Sequence, residues 1–374
     1  MSVVKPKSGP RPLAQPQFEA GGQVATVILA GSGYVAGELL RLLTTHPVFS
    51  PVAVVSSSQG GEPVTVAFPH LAGHYPTLAF RELEGALATA RRSESLAIFS
   101  AAPHGHSAAL VARVLEDLEG DGMDRQVHVV DLSADFRFPS AEAYERVYRH
   151  PHAAPQRLEQ FHCGVPELSA GLPRRHIAHP GCFTTAALLG SVPLLAAGVV
   201  EREVQVSAVT GSTGAGKTPT ATTHHPERRS NLFSYAPLGH RHEPEMESLA
   251  EQAIGWRPRI AFAPHAGPFA RGIYATLWLR LAPGASADAV ADALHHAYDA
   301  SPFVLLWAGP PEMQDVVGTN HCHLGWAVEG RTVVVFSTLD NLIKGAAGGA
   351  VQWMNRLFGL PDETGLVQAG LGWL

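Results

Sequence analysis

Three cysteines stand in the chain, and one of them has neighbours that could make a thiol reactive. In the stretch 178–189, AHPGCFTTAALL, Pro180 and Gly181 break the chain just before a run of small residues that reads as a helix start. Cys182 therefore falls in a first helical turn, among backbone N–H groups with no helical partner. The positive end of a helix favours thiolate over thiol, and Gly181, lacking a Cβ, lets a carbonyl approach the sulfur. Taken alone, the stretch also fits a buried structural cysteine. A nucleophile needs an acid/base partner, and Gly239–Glu245 (GHRHEPE) offers His242, whose ordinary pKa suits proton transfer. Glu245, three residues on, is placed to orient that ring from the next turn of a helix. In a chain with 20 histidines most must be surface or packing residues. The pairs His240/His242 and His321/His323 raise a zinc site, for which nothing supplies a firm third ligand.

Two glycine-rich stretches suggest phosphate chemistry. Residues 23–30 (QVATVILA) read as a β-branched strand, followed by Gly31-Ser32-Gly33-Tyr34-Val35-Ala36-Gly37 and the helical pattern GELLRLL. Strand, glycine turn and helix in that order suit a dinucleotide: the glycines allow a tight turn and close phosphate approach, and the helix start favours negative charge. The next strand, residues 51–55, ends in Ser56-Ser57-Ser58 where an NAD site would carry an acid, so a 2′-phosphate, and hence NADP(H), is favoured. The second stretch, Gly211-Ser-Thr-Gly-Ala-Gly216-Lys217-Thr218, matches the nucleotide phosphate-loop pattern completely. It would make the chain an ATP or GTP hydrolase, with Asp131 as the metal-binding acid. Against this, Thr218 is followed by Pro219 and a polar run to Pro226 with no apolar stripe, whereas a phosphate loop must cap a helix.

The elements that must hold these groups alternate. Further strands are expected at 96–101 and 127–131, with a helix at 107–118 between them, which implies an α/β fold with a Rossmann-type doubly wound parallel sheet. Loops after such strands collect binding groups, and there Asp135 and Arg137 are either ligands or a surface ion pair. Beyond Cys182 the character changes. Strands at 204–210 and 259–263 and the period-two run 272–281 (GIYATLWLRL) predict a mixed α+β second domain, covered on one face. Residues 286–300 read as an amphipathic helix with Ser286 as N-cap. A strand at 332–337 and a last helix through Asn355 follow. At the mouth of the 272–281 strand, Arg271 could clamp an acidic group of the substrate. We divide the chain into a disordered tail (1–22), a nucleotide domain (23–177), a catalytic and oligomerisation domain (178–338) and a segment packing back on the nucleotide domain (339–374).

Composition narrows the classes. At 374 residues, 45% hydrophobic and 16% charged, the chain suits a globular protein of two domains. A net charge of -6 argues against a general nucleic-acid binder, and no apolar run approaches the roughly 20 residues of a membrane span. So few, scattered cysteines suit a reducing compartment, hence the cytoplasm.

Read in order, Gly31–Glu38, Pro103-His104-Gly105, Asp131-Leu-Ser-Ala-Asp-Phe-Arg137, Pro180-Gly-Cys182, the 211–216 glycine loop, His240-Arg-His242, Arg271-Gly272 and Asp340-Asn341-Leu-Ile-Lys344 resemble the N-acetyl-γ-glutamyl-phosphate reductase family. The resemblance runs from about Val24 to Phe358. It implies an NADPH-dependent reductase of arginine biosynthesis, related to aspartate-semialdehyde dehydrogenases and forming homodimers or homotetramers. By position it implies Cys182 as nucleophile, His242 as acid/base and Glu245 as its helper. It further implies Gly31, Ser32, Gly33, Tyr34, Val35, Ser56, Ser57, Pro103, His104, Gly214 and Asn341 on the cofactor, and Arg137, Ser212, Lys217, His240 and Arg271 on an acyl phosphate. The chain departs from the family in having Ala30 and Ala36 where glycine is usual, His179 where asparagine is common, and Lys217 for arginine. A sister family reduces carrier-protein-linked aminoadipyl or glutamyl phosphates in lysine or ornithine synthesis, and His224-His-Pro-Glu-Arg228 is a little like it.

Overall fold

The computed structural model describes residues 23–374 except 124, 170, 172–173 and 373–374, so the tail expected at 1–22 lies outside the described residues. Residues 23–178 build a sheet of seven strands: β1 (Val24–Leu29), β2 (Phe49–Val55), β3 (Phe80–Arg81), β4 (Ser95–Ser100), β5 (Gln126–Asp131), β6 (Phe161–Cys163) and β7 (His176–Ala178). Their order across the sheet is β3-β2-β1-β4-β5-β7-β6, every pairing parallel. The order runs one way from β1 to β2 and the other way from β1 to β4. The crevice beyond the carboxyl ends of β1 and β4 is thus a topological switch point, where such sheets bind ligands.

The second sheet holds β8 (Glu203–Thr210), β9 (Phe233–Ser234), β10 (Arg259–Ala266), β11 (Ile273–Arg280), β12 (Val304–Trp307), β13 (Cys322–Glu329) and β14 (Thr332–Leu339), ordered β12-β13-β14-β11-β8-β10-β9 with mixed pairing. In β8 and β11 alternate residues are buried, as period two requires of a sheet covered on one face. The cover is the helix Cys182–Ala196, buried from Phe183 through Leu195 and packed on β11, β14 and the helices His242–Ile254 and Ala287–Tyr298. A helix apolar on all sides belongs in an interior. Pro193 denies Leu189 its helical donor, and the Tyr298 hydroxyl donates to that carbonyl instead, at 2.7 Å.

After β14 the chain returns to the first sheet. Ile343–Ala347 form a π-helical turn and Gly348–Leu357 an α-helix, whose Val351, Trp353 and Met354 share one apolar cluster with Val24, Ile28, Leu39 and Leu40. The phosphate-loop pattern at 211–218 closes as a 3-10 turn, Ser212–Ala215, followed by irregular chain that bends at Lys217 and Thr218 and by the short turn Ala221–Thr223. No helix starts from this loop, and the nearest, His225–Arg228, is four residues long and begins beyond Ala221–Thr223, which removes the anion-binding end that a nucleotide hydrolase would need.

Candidate active site

Cys182 is the first residue of its helix. Gly181 is its N-cap, extended at φ -63° and ψ 151°, with no side chain capping the turn. The peptide before it is fastened by Glu245, whose Oε1 accepts from Gly181 N at 2.6 Å. The other carboxylate oxygen accepts from Arg137 Nη1 at 3.1 Å, while Arg137 also donates to the carbonyls of His179 (2.8 Å) and Leu132 (3.0 Å). Glu245 and Arg137 are both buried, 0% and 6% exposed. A buried pair of opposite charge with its remaining groups hydrogen-bonded holds the Cys182 turn rigidly. Two expectations change here. Arg137, expected on the substrate, gives three of its five donors to protein, and neither it nor Asp135 is a surface residue. Asp135 accepts from Gly105 N, Ala108 N and the Tyr144 hydroxyl. Glu245 acts on the cysteine side of the site, with Gly181 and Arg137 as its hydrogen-bond partners.

His242 opens the helix His242–Ile254, 8% exposed, and its ring lies against Gly181 so closely that a Cβ there would stand 2.4 Å from Nε2. That contact explains the glycine before Cys182 better than substrate access does. His242 Nδ1 is buried without a protein partner, and the His242 backbone N–H donates to His240 Nδ1 at 3.1 Å. Burial, reinforced by His240, Arg137 and Arg241, pushes His242 well below the ordinary histidine range, and burial takes His240 down to about 4. Burial also pushes the Cys182 thiol up to about 11, against the helix-start expectation of a thiolate. The resting pair is therefore a neutral thiol and a neutral imidazole. Burial outweighs the helix dipole, and His242 is suited to remove the thiol proton when a substrate arrives.

Cys182, His240 and His242 share a cavity of about 310 Å³ with Ser212, Gly214, Tyr235, Arg228 and Arg241. Arg228 and Arg241 escaped the sequence reading. Arg228 is 9% exposed, donates to Thr210 O at 3.2 Å and keeps Nε unpartnered; Arg241 lies over the Tyr148 ring. Their signal was one cation inside the GHRHEPE motif and another 11 residues before it, diluted by the 27 lysines and arginines of the chain. Cys163 and Cys322 are buried, and burial pushes both thiols up, the latter to about 12.

Two further expected ligands are engaged with protein groups, and a third stands outside the cavity. Arg271 pairs with Glu38 (2.8 Å) and Asp340 (3.0 Å), tying β11 to the first helix. Asn341 accepts from Gly272 N at 2.7 Å and donates to Thr213 Oγ1 at 3.0 Å, bracing the 211–216 turn. Lys217 is exposed and does not line the cavity; its Nζ lies 3.5 Å from Ser32 O. His321 and His323 lie apart from the cavity, His323 stacked on Trp307, and among the described residues no three His, Cys, Asp or Glu side chains converge to hold a metal.

The first glycine turn fits a dinucleotide. Gly33 N-caps the helix Tyr34–Leu43 with no side-chain cap and no acid in its first turn, and the space above it is open. A Cβ on Gly31 would meet Val54 Cγ1 at 2.1 Å, and one on Gly37 would meet Phe68 at 2.7 Å, so these two glycines close the turn onto its neighbours. Beside Val55, Ser56 donates its N–H to Arg81 O, and β3 sets Arg81 against the end of β2. Arg81 thus stands on the next strand beside Ser56 and exposed Ser57, its Nη1 donating to Thr89 Oγ1 at 3.3 Å, where an arginine could meet a 2′-phosphate. Pro103 and His104 follow β4 at the switch point. His104 Nδ1 accepts from Ala134 N at 2.9 Å, and burial pushes its pKa down to about 3, so the ring is neutral.

Residues 26–174 match the semialdehyde dehydrogenase NAD binding domain, and residues 182–341 match the semialdehyde dehydrogenase dimerisation domain. An N-acetyl-gamma-glutamyl-phosphate reductase of Desulforudis audaxviator is 39% identical over 92% of this chain and 98% of its own length, and one of Pseudomonas aeruginosa is 39% identical over the same shares. The chain belongs to the N-acetyl-γ-glutamyl-phosphate reductase family. Among solved structures, aspartate semialdehyde dehydrogenase II of Vibrio cholerae, complexed with ASA, shares the fold (TM-score 0.66, 17% identity, 91% of this chain and 99% of that one). The Candida albicans aspartate semialdehyde dehydrogenase with NADP does so at TM-score 0.60 and 14% identity, over 90% and 99% of the two chains. Family membership accounts for the pairing of an all-parallel sheet with a mixed one, and leaves the roles of individual residues to the geometry.

Proposed function

We propose that this chain reduces N-acetyl-γ-glutamyl phosphate to N-acetylglutamate 5-semialdehyde with NADPH, a step of arginine biosynthesis, in the cytoplasm. The observation that carries the reading is the joint placement of Cys182 and His242 in one cavity, with the peptide between Gly181 and its neighbour fastened by Glu245. His242 takes the thiol proton as Cys182 Sγ bonds to the γ-carbonyl carbon, and N–H groups at the helix start hold the oxyanion. The carbon–oxygen bond to phosphate then breaks, His242 passes its proton to the departing phosphate, and a thioester remains on Cys182. NADPH, when bound, supplies the hydride for the thioester carbon. Collapse to the aldehyde returns a thiolate, which takes its proton from solvent. Arg228 and Arg241 offer charge for the phosphate and carboxylates of the substrate, with Ser212 and His240 beside them.

Gly31, Ser32, Gly33, Tyr34 and Val35 would hold the cofactor's phosphates, and Ser56, Ser57 and Arg81 its 2′-phosphate. A homodimer or homotetramer is supported by the outer face of the second sheet, where Trp278 and Leu238 stand 49% and 70% exposed around one groove. The relatives' names favour the acetylated substrate over a carrier-linked aminoadipyl or glutamyl phosphate. The test is turnover of both substrates by wild type and Cys182→Ser, with mass spectrometry of acylated enzyme when NADPH is withheld. Reduction of the acetylated substrate, an acyl adduct on Cys182 and no turnover by the serine variant are expected. Turnover of the carrier-linked substrate alone would reassign the substrate, and full activity of Cys182→Ser would end the thioester route.

A further inference from the structure

The chain has four lysines. Lys5 and Lys7 lie outside the described residues, and Lys344 is fully buried against Glu167. Lys217 is the exposed one among the described residues, and its surroundings are not those of an ordinary solvated lysine. It leaves the second domain immediately after the Gly211–Gly216 turn and reaches back over the first domain. Its Nζ lies 3.5 Å from the carbonyl of Ser32, in the middle of the first glycine turn, and 5.4 Å from the ring centroid of Phe68, the side chain that closes on Gly37. Both partners are neutral. A carbonyl and an aromatic face will steer an ammonium without cancelling its charge. That uncancelled charge stands where an uncapped helix start, with no acid in its first turn, already favours an anion.

We propose that Lys217 is a ligand of the cofactor's pyrophosphate, delivered to the first glycine turn by the catalytic domain. The inference rests on the reading of that turn as the NADPH site. It assigns Lys217 to the bridging phosphates and not to the 2′-phosphate, because its contact is Ser32 at the helix start, whereas Ser56 and Arg81 sit at the ends of β2 and β3. It also gives the second turn a reason to sense the cofactor. Ser212 and Gly214 of that turn line the Cys182 cavity, and Thr213 is braced by Asn341 and Ala270, so an anion that fixes Lys217 restrains the cavity wall.

The experiment is calorimetric titration of wild type, Lys217→Ala and Lys217→Arg with NADPH, NADH and 2′-AMP, without acyl phosphate. Removing a charge-assisted contact should weaken NADPH and NADH by the same factor, about tenfold, and leave 2′-AMP, which has no pyrophosphate, unchanged. Lys217→Arg should keep most of the affinity, since it keeps the charge. Because Lys217 is exposed, the melting temperature of the alanine variant should match wild type. Unchanged NADPH affinity in Lys217→Ala with a raised KM for the acyl phosphate would return the residue to the substrate and overturn the inference. A loss shared by NADPH and 2′-AMP but not by NADH would move it to the 2′-phosphate, which also overturns it. Failure of the wild type to bind NADPH would instead defeat the underlying cofactor reading.

Discussion

The turns Gly31–Gly37 and Gly211–Gly216 both follow a strand, both carry a phosphate-binding pattern, and both end within reach of Lys217, yet they do different work. The first runs straight into the helix Tyr34–Leu43, so its N–H groups gather at a positive helix end. The second closes as a 3-10 turn, is braced on Ala270 and Asn341, and forms a wall of the thiol cavity. The element behind a glycine loop decides its chemistry more than the glycines do: a helix there creates an anion site, while irregular chain leaves a shaped surface.

Exchanging glycines for alanine in the two turns should separate these roles. A Cβ on Gly211 would stand 2.4 Å from the Ala270 carbonyl oxygen and 2.7 Å from Arg271 N, backbone that cannot step aside cheaply. Gly211→Ala should therefore cost on the order of 10²-fold in kcat through misplacement of the cavity wall, while NADPH affinity falls no more than the tenfold carried by Lys217. Gly31→Ala, which pushes on Val54, should do the reverse, weakening NADPH more than it slows single-turnover acylation of Cys182. Fluorescence titration of NADPH beside acylation kinetics measures both. Identical profiles for the two variants would erase the distinction.

Acid should strain the second turn's neighbourhood along with the chain's other buried histidines. His240 and His242 are held neutral by burial, with pKa values of about 4 and well below the ordinary value, whereas in the unfolded chain both titrate near 6.5. Above that pH the two states bind equal numbers of protons and the histidines cost nothing. Below it the unfolded chain binds more, so stability is lost progressively as pH falls from about 6.5 toward 4. Thermal melts across that range should fall, and His240→Asn, which keeps an acceptor for the His242 N–H, should flatten the decline. The smallest effect belongs to the first turn. Ala30 sits at φ 54°, a left-handed conformation that costs an alanine about 1 kcal/mol, so Ala30→Gly should raise stability by up to about that amount in urea melts.

Legibility followed length and periodicity. β1, β2, β4, β5, β8, β10, β11 and β14 were readable within a few residues because each is a run of five or more with β-branched or alternating character. β3, β6 and β7 are two or three residues long and carry no period, and β13, CHLGWAVE, is interrupted by glycine and histidine. The helix start at Cys182 was legible from Pro180 and Gly181, since both act locally. The bonds of Glu245 to Gly181 and Arg137, of Arg271 to Glu38 and Asp340, and of Asn341 to Gly272 were not, because each joins residues that are 64 or more apart in sequence and follows from packing rather than from any local signal. Arg81 was hidden for the same reason. It reaches Ser56 only through the pairing of β3 with β2.

The return of the last helix to the first sheet has a consequence for synthesis. Val24, Ile28 and Leu39 share a core with Val351, Trp353 and Met354, and a Cβ on Gly345, in the turn leading to that helix, would stand 2.6 Å from Cys182 Cβ. At roughly 5–20 residues per second, the ribosome delivers Trp353 about 15–65 seconds after Val24. Until then this cluster of the first sheet lacks its last members, and the thiol, once made, lacks the wall that Gly345 provides. The emerging polypeptide thus completes the surroundings of the Cys182 thiol only after Gly345 has been made, when the strands of both sheets are already available.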